Sequence, residues 1–276
     1  GNLLMKIFKR ATVVAALLSA TGLLFSGAST AGGNQALQLV NKITQNNAKI
    51  VKQFDGINNL QGFVIAPRQG KGQKTVVYAD KKGRYMIAGA VIDKNGQNVT
   101  QGDFNKYVTA AMAPKVLTAV QSTHWLQDGN ASAPHKAYVL VEPNCVACHM
   151  LYKALAPQIK SGQLAVRWIF VAFLKPSSVG KAAAIMQSKN IHQAFAKDEK
   201  TFNVQTEVGG IAPSKNITAK TKQQLKTNMQ FMTKFNFIGT PVMVYQTKTG
   251  TPAVVRGFLP GKALLQSVNT MSGNWS

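Results

Sequence analysis

The chain has 276 residues, 45% of them hydrophobic, enough for two modest domains or one large one with a real core, and this excludes disorder as its dominant state. It carries 32 Lys and Arg against nine Asp and Glu, a formal charge of +23. The basic residues are spread along the chain with no tight Lys/Arg block and no aromatic-basic interleaving, so a nucleic-acid partner is set aside; what remains is a solvated lysine-rich surface or anionic partners such as envelope polymers and acidic proteins.

The first element in chain order is a leader over residues 5–31. Lys6, Lys9 and Arg10 follow Met5, an apolar run extends from Ala11 to Phe25, and Ser29-Thr30-Ala31 offers small residues for cleavage near Gly32. The run of about 15 residues is shorter than the roughly 20 a membrane-spanning helix needs, so a cleavable export signal is expected rather than an anchor. Gly1 to Leu4 lie ahead of the initiator read at Met5 and are left out of the fold reasoning. The leader takes three basic residues and no acidic one, so the remainder stays close to +20.

Asn34 to Lys49 reads as an amphipathic helix, with Leu37, Val40, Ile43 and Ile50 at helical spacing. Strands are expected at Gly62–Ala66, Lys74–Tyr78 and Tyr85–Ile92, separated by turn residues at Arg68-Gln69-Gly70 and Asp80–Gly83, which together make a small α+β unit over 32–103. Phe104 to Gln121 is helical in pattern, with Pro114 as a kink point, and connects this unit to the C-terminal half of the chain. From Ala137 to Val141 a continuous apolar strand is expected, buried on both faces, and Cys145-Val146-Ala147-Cys148 comes directly after it. A helix over Met150–Ile159, a second buried strand over Val166–Leu174 and three helical stretches at Val179–Lys189, Ile191–Lys200 and Thr218–Phe235 come next. Val242–Tyr245 and Ala253–Gly257 read as a hairpin about Thr249-Gly250, and Gly261–Met271 as a closing helix.

Cys145 and Cys148 are the only cysteines, in a chain whose leader points to an oxidising compartment. Three residues apart, they can bridge only each other or a partner, and so short a loop contributes little chain-entropy stabilisation; the pair is read as chemical rather than structural. Disulfide exchange needs a thiolate, and a helix start favours negative charge on a sulfur placed there. Cys145, at that position, is assigned as nucleophile, and Cys148, a turn inward, as the resolving thiol. Thr240-Pro241 before a strand is the second component: a cis bond there would set Thr240 backbone groups beside the sulfurs to pair with an extended substrate, while a trans proline opening an edge strand is the alternative. Glu142 is either a proton relay for Cys148 or a satisfied carboxylate at a strand end. His149 either tunes local charge or, as expected here, sits exposed on the helix surface.

Cys145 to His149 also spells C-x-x-C-H, the attachment motif of a c-type haem, which makes an electron-transfer cytochrome a rival reading. A buried strand leading straight into the motif favours the thiol reading. His124, His135 and His192 show no zinc-ligand spacing, and no cofactor or metal is expected.

Taken together, the strand, CxxC and helix order, Thr240-Pro241, the N-terminal α+β unit and the connecting helix resemble the DsbC/DsbG family of periplasmic thiol:disulfide interchange proteins. Thr123–Gly129, Phe173–Ser178 and Ala182–Ile185 are similar to its DsbG branch, as is the presence of two cysteines only. The resemblance implies an α+β protein: a cystatin-like N-terminal dimerisation domain (32–103), a linker helix (104–122) and a thioredoxin-like catalytic domain (123–276) with a helical insertion at about 176–235. It implies a periplasmic homodimer that acts on misfolded or oxidised envelope proteins as isomerase or reductase. It further implies re-reduction by a DsbD-type membrane donor and reduction of cysteine sulfenic acids; chaperone activity is a separate expectation that can coexist with these. A redox-independent chaperone is the competing class. Val146-Ala147 stands where the family usually carries proline-tyrosine or glycine-tyrosine, so the redox poise is not carried over; nor is an acidic cleft, given the charge near +20.

Overall fold

A computed structural model of the chain describes residues 34–69 and 72–275, and the leader expected over 5–31 lies outside the described residues. The first unit runs α1 (Asn34–Ile43), β1 (Ala48–Asp55), β2 (Leu60–Pro67), β3 (Thr75–Asp80) and β4 (Met86–Ile87), the strands forming an antiparallel sheet in chain order. Ala36 and Val40, one turn apart on α1, pack on Phe63, Ile65, Val77 and Ala79. The alternate residues Val64, Val76 and Tyr78 face the other way, toward Phe54 and Val108, as the two-residue period of a strand requires.

The helix expected to Lys49 stops at Ile43. Gln45 and Asn46 take positive φ values of 50° and 56°, and the Asn46 amide returns to the Asn41 carbonyl at 2.8 Å, a left-handed helix stop that the run of apolar spacing does not reveal. Lys49 and Ile50 belong instead to β1, where only Ala48 and Phe54 are buried. The strand expected over Tyr85–Ile92 is reduced to two residues, and Tyr85, Ile87 and Ile92 stand exposed.

The connecting helix begins earlier than expected, at α2 (Val99–Phe104), capped by the Asn98 carboxamide, which accepts from the Gln101 amide at 2.9 Å. It continues through a π-helical turn (Asn105–Thr109) into α3 (Ala110–Val120), with Pro114 inside the last segment. Ala113, Val116 and Val120 lie on the second sheet.

That sheet is built from β5 (Leu126–Asp128), β6 (His135–Val141), β7 (Leu164–Phe170), β8 (Val242–Gln246) and β9 (Pro252–Arg256), ordered β5-β7-β6-β8-β9, with β6 and β7 parallel and every other pairing antiparallel. α4 (Val146–Lys160) makes the crossover from β6 to β7. α5 (Ser178–Met186), α6 (Ile191–Lys200) and α7 (Ala219–Lys234) lie between β7 and β8, and α8 (Gly261–Thr270) closes the chain. Tyr138 and Leu140 of β6 point to α3 and α7, whereas Ala137, Val139 and Val141 point to α4 and α8, so the strand is buried on both faces as its unbroken apolar run predicts. A βαβ unit with the cysteine pair at the start of its helix, then an antiparallel hairpin and a last helix, is the thioredoxin-like arrangement carrying a helical insertion. Among the described residues no helix is long and apolar enough to cross a membrane.

Candidate active site

The end of β6 delivers the site. After Val141 the chain turns through Glu142, Pro143 and Asn144, with the Cys145 amide donating to the Glu142 carbonyl at 3.0 Å, and α4 starts at Val146. Cys145 is the N-cap, with extended backbone (φ −95°, ψ 110°), and its sulfur accepts from the Cys148 amide at 3.1 Å. A sulfur takes here the place that a serine or aspartate oxygen holds at most helix starts. Free amides and the helix field both favour negative charge at this atom, which lowers the pKa of a thiol that occupies it.

Cys145 and Cys148 are joined as a disulfide. Cys145 retains 5% of its surface and Cys148 none, so an incoming sulfur meets Cys145 first. Across the loop, Cys145 Sγ lies 3.4 Å from the Thr240 carbonyl oxygen, and the Thr240-Pro241 bond is cis. The Pro241 carbonyl is held by the Gly257 amide at 2.8 Å, which fixes this loop on the β8–β9 hairpin. Thr240 Oγ1 is buried without a partner among the described residues.

The side chains of the other two sequence candidates make their hydrogen bonds elsewhere than to the sulfurs. Glu142 is fully buried; its Oε2 accepts from the Asn144 amide at 2.7 Å and its Oε1 has no partner among the described residues. Burial raises its pKa above the usual carboxylate range, while the nearby Ser178 hydroxyl and the Asn144, Leu174 and Phe173 amides pull it down. It hydrogen-bonds neither sulfur.

His149 is not the exposed helix-surface residue that its place in the sequence suggests. It is buried, its Nδ1 lies 2.9 Å from Glu199 Oε2, and its ring stacks on Phe202 with centroids 4.6 Å apart. Burial pushes Glu199 up to about 9, helped by the neighbouring Asp198 charge, and burial together with the Lys153 charge lowers His149. Near neutrality the pair is therefore a carboxylic acid donating to a neutral imidazole rather than an ion pair. Among the described residues no three His, Cys, Asp or Glu side chains cluster as metal ligands would.

Sequence reasoning missed Asn144. Its carboxamide donates to Ser177 Oγ at 3.2 Å and Ser178 Oγ at 2.9 Å, and it accepts from the Gly209 amide at 3.2 Å, which ties the loop before Cys145 to the insertion. Nearby, buried Lys181 donates to the Gly209 carbonyl at 2.6 Å and to that of Ile211, and Asp198, lifted to about 6 by burial, accepts from the Ile211 amide at 2.9 Å. The only signal in sequence was the adjacency of Asn144 to Cys145; its partners are 33 to 65 residues away.

Beside the cis-proline loop opens a cavity of about 400 Å3, lined in part by Gly239, Thr240, Arg256 and, from the residue before β3 and the end of α2, Lys74 and Phe104. A second, of about 330 Å3, adjoins it through Gln73, Lys74, Phe104 and Arg256.

Residues 70–101 match the family described as the disulfide bond isomerase protein N-terminal domain. The chain is 26% identical over 211 residues to thiol:disulfide interchange protein DsbG of Pseudomonas aeruginosa, covering 76% of this chain and 80% of that protein. It is also 26% identical over 238 residues to the Escherichia coli protein of the same name, covering 85% of this chain and 90% of that one. Among solved structures, a periplasmic thioredoxin-like protein from Salmonella enterica serovar Typhimurium superimposes with a TM-score of 0.44 at 18% identity, covering 56% of this chain and 94% of that one.

Proposed function

The chain belongs to the DsbC/DsbG family of thiol:disulfide interchange proteins, and from that premise we propose that it is a periplasmic disulfide isomerase and reductase in which Cys145 attacks and Cys148 resolves. One observation carries the assignment of roles. Cys145 Sγ, the more exposed sulfur, accepts a helix-start amide and lies 3.4 Å from the Thr240 carbonyl.

The reduced pair begins the cycle. The Cys145 thiolate attacks one sulfur of a substrate disulfide; that bond breaks, a mixed disulfide forms, and the displaced substrate thiolate takes a proton. The Cys148 thiolate then attacks Cys145 Sγ, releases the second substrate thiol and leaves the bonded pair seen here, two electrons having passed to the substrate. If another substrate thiolate attacks the substrate sulfur of the mixed disulfide before Cys148 does, a new substrate disulfide forms, Cys145 leaves as thiolate, and the result is isomerisation with no net electron transfer. A cysteine sulfenic acid enters the same cycle: its oxygen leaves as water when Cys145 forms the mixed disulfide, and Cys148 frees the thiol. Backbone groups of Thr240, ahead of Pro241, hold an extended substrate beside the sulfurs.

The proposal extends to the domain division (32–103, 104–122 and 123–276 with its insertion at about 176–235), to export through the leader at 5–31, and to re-reduction by a DsbD-type membrane donor. Homodimerisation through the first sheet is supported by the short edge strand β4 and the exposed Tyr85, Ile87 and Ile92 around it. These side chains and Ile238, 67% exposed beside the redox loop, also suit chaperone binding of unfolded clients. The test is a pair of variants in the native envelope. C148A accumulates mixed disulfides with client proteins and C145A accumulates none; a C148A variant that captures no partner overturns the assignment.

A further inference from the structure

We propose that the two adjoining cavities beside the cis-proline loop form a cationic subsite that selects acidic side chains flanking the substrate cysteine, an inference that rests on the thiol-exchange reading above. Arg256 stands between the cavities and lines both. It is anchored by strand pairing: Arg256 faces Val242 in the β8–β9 register, one residue beyond Pro241, so its position is set by the same hairpin that holds the redox loop. Its guanidinium lies over the rings of Phe104 (4.9 Å) and Phe237 (5.5 Å) and donates one bond, to the Asn236 carbonyl at 3.1 Å.

Such a group has lost part of its water without gaining a carboxylate, and a carboxylate arriving in the cavity supplies the missing bidentate acceptor. Lys74 lines both cavities and Lys115 the second; both are exposed, and neither cavity has an Asp or Glu among its lining residues. The wall is held in place by Gln73 Nε2 donating to Asn236 Oδ1 at 3.1 Å, which joins the first unit to the redox unit across the groove. Three cations, no anion, aromatic and apolar flanks and an opening at Thr240 together describe a groove for an acidic polypeptide segment. An extended chain advances about 3.3 Å per residue, so acidic residues within two or three positions of the attacked cysteine fall within reach.

The test uses three peptides, each with one cysteine as its mixed disulfide with neutral β-mercaptoethanol, and with Glu, Gln or Lys two residues to either side. The rate at which the reduced full chain opens each disulfide is divided by its rate with free dithiothreitol, which removes the effect of the flanking charge on the peptide's own reactivity. The Glu peptide is expected to react about tenfold faster than the Lys peptide at low ionic strength, the ratio falling with added salt. R256Q should cut the ratio several-fold, and the surface double variant K74Q/K115Q carries the same test should R256Q fail to fold. K220Q/K222Q, at the opposite end of α7, should leave the ratio in place. Equal normalised rates for the three peptides, or an equal collapse in K220Q/K222Q, overturns the subsite and leaves thiol exchange standing. Failure of every peptide to react removes the exchange reading and the subsite with it.

Discussion

Replacing Glu199 with glutamine should stabilise the protein at neutral pH. Glu199 is buried and its carboxyl titrates at about 9 when folded, against 4.5 in an unfolded chain. Between those values the folded state holds a proton that the unfolded state has released, so this group's contribution to stability falls as pH rises and is unpenalised only below about 4.5. At about 1.4 kcal/mol per pH unit, the penalty reaches about 3 kcal/mol at pH 7. A glutamine cannot ionise, and its amide can donate to His149 Nδ1 as the neutral acid does at 2.9 Å. E199Q should therefore match the wild type near pH 4.5, exceed it by about 3 kcal/mol at pH 7, and gain more by pH 8. Urea unfolding of both oxidised proteins at pH 5, 6, 7 and 8 gives the difference directly, since Asp198 and the other titrating groups are common to both. A variant less stable than wild type at pH 5 to 6, with the gap closing toward pH 8 as His149 loses its proton, would mean that Glu199 and His149 are an ion pair, and the reasoning would fail.

Asn228 accepts from the His124 amide at 2.8 Å and donates to the His124 and Phe170 carbonyls at 2.9 Å each, fully buried between α7 and the start of the second unit. N228A should cost about 3 kcal/mol in chemical unfolding, and N228D more, because a carboxylate cannot donate to two carbonyls; a loss under about 1 kcal/mol would show that water replaces these bonds. At Gly209 a Cβ would collide with the Pro143 carbonyl and the Asp198 carboxylate. G209A should cost at least about 2 kcal/mol in thermal unfolding. It should also change the alkylation rate of reduced Cys145, two residues beyond Pro143; an unaltered rate would separate the insertion from the redox loop.

The redox unit is legible in the sequence because its signals are local. The Ala137–Val141 run fits only a strand covered on both sides, and Cys145 stands beyond it at the distance a helix start requires. Thr240-Pro241 is recognisable as a companion, though its isomer is decided by tertiary packing and not by neighbouring residues. The start of β1 reads as helix because its exposed edge, with Lys49 and Lys52 among few buried residues, shows no two-residue alternation, while the apolar spacing of α1 runs on into it. His149 is misplaced for a different reason. A histidine after a helix start is expected in water unless a partner covers it, and Glu199 and Phe202 come from a helix and loop some fifty residues later. Asn144 and Arg256 escape for the same cause: their roles exist only where distant segments converge.

The seat of the Cys145 sulfur also bears on the passage between the oxidised and reduced pair. The Cys148 amide already bonds Cys145 Sγ while the two sulfurs are joined, so on reduction the incoming charge settles on an atom whose donor and helix field are in place. The backbone has no turn to build first. The sulfur's hydrogen-bond donor is thus part of the helix start itself and not of a segment that must be brought to it.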